Sequence, residues 1–153
     1  MKIFSFNILA DIYYSKLYYP NVSKENVDNR EKVLFSILKS VINYDIIALQ
    51  EVTIHMYYKL CLIFSNHTGY FNPHDDNYWR DDSNEEVSFS KNGNCLFVIS
   101  NITKMKVYDF SLGTGNHCIL FRGIVDGEEL QLINLHLDPY SEEEYNIINS
   151  LEY

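Results

Sequence analysis

Asp45-Ile46-Ile47-Ala48-Leu49-Gln50-Glu51-Val52 is the stretch on which the reading of the fold turns. An unbroken apolar run that stops abruptly at a polar pair is the pattern of a short strand buried on both faces. Such a strand needs a covering layer on each side, so the chain is expected to be an α/β domain. Upstream, Val33, Leu34, Ile37, Leu38, Val41 and Ile42 recur at helical spacing, which predicts an amphipathic helix over 29–43. Further back, residues 2–8 alternate and end near Asn7, the pattern of an opening strand. Downstream, a second helix is expected from Thr53 to about Phe64. Strands follow at 94–100, 104–111, 117–125 and 129–135, the last two flanking Asp126-Gly127, a strong hairpin signal. Ser141 with Glu144 three residues on forms a capping box for a final helix. Between these halves, residues 66–92 carry Asp75, Asp76, Asp81, Asp82, Glu85 and Glu86 among Asn, Ser and aromatics, and read as an acidic surface loop.

Composition narrows the function classes. With 153 residues, 46% apolar and 22% charged, the chain has the material of one packed domain and too much of it for disorder. No apolar run is long enough to span a bilayer, and Asn7 and Asp11 interrupt the apolar N-terminus before it could serve as a signal peptide. A cytoplasmic, intracellular protein without a membrane partner is the expectation. Cys61, Cys95 and Cys118 lie in apolar runs without metal-ligand spacing, so they read as reduced core residues. The net charge of -9 and the lack of a Lys/Arg cluster argue against a protein that grips a phosphate backbone by basic charge. They leave open an enzyme that meets phosphate through a carboxylate-held cation.

Asn7, Gln50-Glu51 and Asn134-Leu135-His136-Leu137-Asp138 each close a predicted strand. Polar groups at strand ends can converge on one rim of a sheet, where sites in α/β folds form. Taken singly, Asn7 reads as a turn former, Glu51 as a solvated edge or capping residue, and His136 as a satisfied, half-buried histidine. Together they offer a hard carboxylate ligand, a carboxamide able to orient phosphate or water, and a proton or hydrogen-bond donor. That set suits metal-assisted hydrolysis of a phosphoester. His67 and His74 flank the acidic loop without a metal pairing, and Tyr13, Tyr14, Tyr18 and Tyr19 either pack a loop or stack on a base.

The ordered set resembles a known family. Ser5-Phe6-Asn7-Ile8-Leu9-Ala10-Asp11, Asp45–Val52, Asn92-Gly93-Asn94-Cys95-Leu96-Phe97-Val98-Ile99-Ser100 and Ile133–Asp138 look like successive motifs of the endonuclease/exonuclease/phosphatase, or DNase I-like, superfamily. The opening motif, Asn29-Arg30-Glu31 and the Leu-Gln-Glu motif are most similar to the deadenylase and 2′-phosphodiesterase branch. The resemblance implies the N-terminal portion of a two-sheet sandwich, mixed or mostly antiparallel and flanked by helices. It implies that Glu51 binds Mg²⁺ or Mn²⁺, that Asn7 lies beside metal and scissile phosphate, and that His136 contacts phosphate or aids leaving-group protonation. Asp138 is a further candidate at the same rim, Arg30 matches a structural position, and the Gly93-Asn94 turn matches a geometric one. The implied partners are a nucleic acid or other phosphodiester substrate.

The family's later G-D-x-N and S-D-H motifs do not occur in the 153 residues. The chain is therefore expected to be one partial domain over 1–153, supplying about one sheet and leaving an apolar face for a completing C-terminal polypeptide or self-association. Two functions follow: a metal-dependent phosphodiesterase or nuclease that is weak or inactive alone, or a catalytically dead remnant that binds a partner.

Overall fold

The computed structural model describes residues 1–9, 21, 23–73, 92–99, 103–111, 117–125 and 128–136. Ile3–Asn7 forms β1, Lys24–Ser40 α1, Ile46–Thr53 β2, Ile54–Ile63 α2 and His67–Pro73 β3. Asn92–Ile99 forms β4, Thr103–Ser111 β5, His117–Val125 β6 and Glu128–Leu135 β7. The strands make a four-stranded mixed sheet, ordered β1-β2-β4-β3, and a three-stranded antiparallel sheet, ordered β5-β6-β7. The expectation of about one sheet is thus corrected to two. The strands after β4 pair only with one another among the described residues, and spacing along a chain does not reveal that partition.

The apolar run at 46–49 is explained by what lies on each side of it. All eight residues of β2 are buried. Ile47 and Leu49 pack with Cys95 and Phe97 of β4 against Leu34 and Leu38 of α1 and Leu60 of α2. Ile46 and Ala48 point the other way with Leu96 and Val98, meeting Ile119 and Phe121 of β6. Successive side chains of a strand alternate faces, so a strand with a helical layer on one side and a sheet on the other must be apolar throughout. Within the helix-side core, burial pushes the Cys95 thiol and the Tyr57 phenol up from their ordinary pKa ranges, which keeps both groups neutral. Cys95 and Cys118 are buried and Cys61 is half-buried, and all three are free.

α1 starts earlier than its apolar periodicity. Ser23 caps it, accepting a hydrogen bond from the Asn26 backbone N–H at 3.1 Å. Ser23→Ala is expected to lower stability by about 1 kcal/mol, read as a shift in the urea midpoint. Of the predicted apolar face, Leu34, Leu38 and Val41 are buried, whereas Val33 and Ile37 stay exposed. α2 matches its predicted span, with Thr53 as its cap.

Two expectations are overturned in this region. Residues 67–73, placed by sequence in an acidic loop, form β3, paired with β4 from His67↔Ile99 to Pro73↔Gly93. Gly93-Asn94 is no turn but lies inside β4, with Gly93 opposite both Pro73 and Val52. The remainder of the acidic segment, the final helix and Asp138 lie outside the described residues. The β6–β7 hairpin is present, with Val125 directly opposite Glu128. No helix among the described residues is long and apolar enough to cross a membrane. Exposed apolar side chains include Ile3 and Phe6 on β1 and Ile133 and Leu135 on β7, one edge strand of each sheet, beside Val33 on α1 and Tyr58 and Leu62 on α2.

Candidate functional site

β1 and β2 run parallel with Asn7 opposite Gln50, so the polar end of the first strand sits beside the polar pair of the second. Past Leu49 the ladder between β2 and β4 slips, resuming at Val52↔Gly93. Glu51 lies within that bulge with φ of 55°, a left-handed conformation costly for a residue with a Cβ. It is also only 8% exposed. The reading of Glu51 as a solvated edge or helix cap is therefore excluded, and the capping role belongs to Thr53.

A buried carboxylate needs hydrogen-bond donors, and two arrive from other strands. Asn7 Nδ2 donates to Glu51 Oε1 at 2.7 Å. His136 Nε2 lies 3.1 Å from the same oxygen. The Asn7 carboxamide is itself oriented, since its Oδ1 accepts from the Leu9 N–H at 2.8 Å. Leu9 has φ of 54°, so the chain leaves β1 through a second left-handed residue. Arg30 of α1 donates to the carbonyls of Ile8 and Leu9, holding that exit in place, which agrees with a structural role for it.

The structure therefore brings Asn7, Glu51 and His136 together, and does so differently from the expectation of one rim on one sheet. Asn7 and Glu51 come from the mixed sheet and His136 from the end of β7 in the other, so the cluster straddles the mouth of the sandwich. Asp138 lies outside the described residues. Beside Asn7, a cleft of about 440 Å³ opens between β1 and α1, walled by Phe6, Val33 and Ile37 and lined at its polar end by Asn29 and Arg30.

Behind the cluster is a buried amide pair to which sequence reasoning gave no role. Gln50 Nε2 donates to Asn134 Oδ1 at 2.6 Å, and Asn134 Nδ2 donates to the carbonyls of Leu49 at 3.1 Å and Cys95 at 2.8 Å. The available signal was phase: Leu130 and Leu132 of β7 pack toward the inter-sheet core, and Asn134 is the next residue facing the same way.

As for a cation, no group of three or more His, Cys, Asp or Glu gathers among the described residues. One carboxylate with polar neighbours still fits Mg²⁺, which keeps several waters and takes one or two protein carboxylates together with substrate phosphate.

No family model and no curated protein matches this chain. Solved structures do. A humanized TDP2 from D. rerio superposes with a TM-score of 0.63 at 15% identity, over 99% of this chain and 53% of that one. ANGEL2, described as a 2′,3′-cyclic phosphatase, gives 0.58 at 14% identity, over 89% of this chain and 40% of its own. An endonuclease/exonuclease/phosphatase protein from Bacteroides vulgatus gives 0.56 at 14% identity, over 98% and 59%. The fold is DNase I-like. The chain spans between 40% and 59% of those three structures. The superpositions establish the DNase I-like architecture, with its mixed sheet stacked on an antiparallel one.

Proposed function

We propose that this chain is the N-terminal portion of a metal-dependent phosphoester hydrolase of the phosphodiesterase or nuclease type, nearest to the deadenylase and 2′-phosphodiesterase branch. The observation that carries the proposal is the convergence of Asn7, Glu51 and His136 on one carboxylate oxygen at the mouth of a DNase I-like sandwich. A D. rerio TDP2 of the same fold is complexed with a single-strand DNA product, which favours a nucleic-acid substrate here.

In this reading Glu51 holds Mg²⁺ or Mn²⁺. Bound there, the cation supplies charge neutralisation at a phosphoryl oxygen. Asn7, fixed by the Leu9 N–H, orients a phosphate oxygen or water beside it. His136 directs its imidazole toward the same phosphate and donates a hydrogen bond or proton to it. Asp138 belongs to the same rim on the resemblance alone. The remaining machinery, including water activation, comes from a C-terminal polypeptide that carries the G-D-x-N and S-D-H motifs and covers the exposed Ile3, Phe6, Ile133 and Leu135.

The test is turnover of poly(A), 2′-5′ oligoadenylate and bis-nitrophenyl phosphate with Mg²⁺ or Mn²⁺. It is run on the chain alone and after mixing with a polypeptide bearing the later motifs. Little or no turnover alone and clear turnover after mixing is expected. Absence of turnover in both, with oligonucleotide or protein binding intact, would instead establish the second reading, a catalytically dead binding remnant. The exposed apolar side chains on edge strands β1 and β7 are the observation that favours it.

A further inference from the structure

We infer that Asn134 is a positioning residue: its carboxamide latches β7 to the bulge of β2 and thereby sets the gap between His136 and Glu51. The inference deepens the proposed function, because the importance of that gap rests on reading those two residues as a site.

Asn134 is 2% exposed, so every polar atom it carries has to be satisfied within the protein. The carboxamide achieves this with groups of the opposite sheet. Its Nδ2 donates to Leu49 O on β2 and Cys95 O on β4, and its Oδ1 accepts from Gln50 Nε2. Leu49 and Cys95 are paired residues, the last pair before the β2–β4 ladder slips. The latch thus sits where the ladder breaks and where the mixed sheet is least held by its own hydrogen bonds.

Gln50 is fixed further by its contact with Ser5 Oγ at 3.3 Å, and its own carbonyl accepts from Ile8 N at 3.1 Å. One side chain therefore reaches both strands at the base of the bulge that presents Glu51.

Phase completes the argument. Glu51 follows directly from Gln50, and His136 lies two residues beyond Asn134. Along a strand two residues advance about 7 Å and return to the same face. The anchored point on β7 is thus one pleat short of His136, and the anchored point on β2 is adjacent to Glu51. Little freedom is left between them to open the 3.1 Å separation. Leucine would continue the Leu130–Leu132 layer and match asparagine roughly in size, but it offers β2 and β4 no hydrogen bonds.

Site-resolved modification of His136 by diethyl pyrocarbonate, read by mass spectrometry, tests this without requiring turnover. It therefore separates failure of the latch from failure of the functional reading. His55 and His67 serve as internal references. Asn134→Leu is expected to raise the His136 modification rate about tenfold over those references, the factor that goes with loss of one charge-assisted hydrogen bond.

Gln50→Met severs only one arm of the latch and should raise the rate about threefold. It carries the test if Asn134→Leu does not fold. Leu60→Ala, in the helix-side core, supplies a destabilised control with the latch intact. An unchanged His136 rate in the folded latch variants would overturn the inference. So would an equal rise in Leu60→Ala at matched stability loss, since that would reduce Asn134 to general packing.

Discussion

Glu51→Gln is expected to remove Mn²⁺ binding at the mouth of the sandwich and to cut turnover of the complemented chain by about a thousandfold. That is the rate equivalent of several kcal/mol of charge stabilisation at a phosphoryl group. Glutamine keeps the size of the side chain and can still accept from Asn7 Nδ2, so the loss isolates the charge. Electron paramagnetic resonance of Mn²⁺ reads the first effect and the phosphodiester assay the second. Retained Mn²⁺ affinity in Glu51→Gln would remove Glu51 from the role of ligand.

The same position makes an independent prediction about stability, because its φ of 55° is set by the bulge and not by the side chain. In a strand interior glycine is ordinarily the less stable choice than alanine. Here Glu51→Gly should be more stable than Glu51→Ala by about 1 kcal/mol, since alanine retains the left-handed penalty and glycine does not. Both variants lose the carboxylate, so both should fail to bind Mn²⁺. A strained residue kept at a polar cluster is the arrangement expected where local backbone geometry serves a site.

Which of these features could be read from sequence follows from how each is encoded. β2 was legible because burial on both faces forces an unbroken apolar run, and Asn7, Glu51 and His136 stood out as polar groups at or just past the ends of predicted strands. The bulge was not, since a continuously apolar strand carries no alternation from which register could be read and position 51 carries no glycine or asparagine to announce a left-handed residue. That is also why Glu51 was expected at the close of its strand, when β2 continues through Val52↔Gly93 to Thr53.

β3 was hidden for the opposite reason. His67-Thr68-Gly69-Tyr70-Phe71-Asn72-Pro73 mixes the strand formers Thr68, Tyr70 and Phe71 with Gly69, Asn72 and Pro73, which depress strand propensity, and it is held by pairing with β4 at the edge of the sheet, where proline is tolerated. The early start of α1 was hidden because its first turns are polar and its apolar stripe begins only at Val33. The straddling of two sheets by the cluster could not be seen at all, since spacing places residues at strand ends without saying which sheet a strand joins.

The residue on which this arrangement leans hardest outside the cluster is Gly93, and Gly93→Ala is expected to cost about 3 kcal/mol or more. A Cβ at this position would lie 2.0 Å from Asn72 O and 2.6 Å from Pro73 Cα. Both are backbone atoms of β3, which no rotamer change can move aside. β3 would have to part from β4 at this end, loosening the pairs Asn72↔Asn94 and Pro73↔Gly93 and exposing Asn72 and Asn94, now 3% and 0% exposed.

Gly69→Ala supplies the comparison. Its Cβ would meet Phe97 Cε1 at 2.8 Å and Tyr57 Oη at 2.9 Å, and both belong to side chains. Those rings stack with one another, and side chains can repack where backbone cannot, so its cost should be smaller. Urea denaturation of the two variants decides the matter: the midpoint should fall further for Gly93→Ala, with the m-value unchanged in both. Because Gly93 also pairs with Val52, the first residue past the bulge, the parted sheet should leave Glu51 less firmly held. Mn²⁺ affinity should therefore fall in Gly93→Ala and stay near the wild-type value in Gly69→Ala. Equal midpoints would mean that β3 and β4 do not approach as closely at Gly93 as the structure has them. Equal loss of Mn²⁺ affinity would mean that the β4 side of the bulge does not support Glu51.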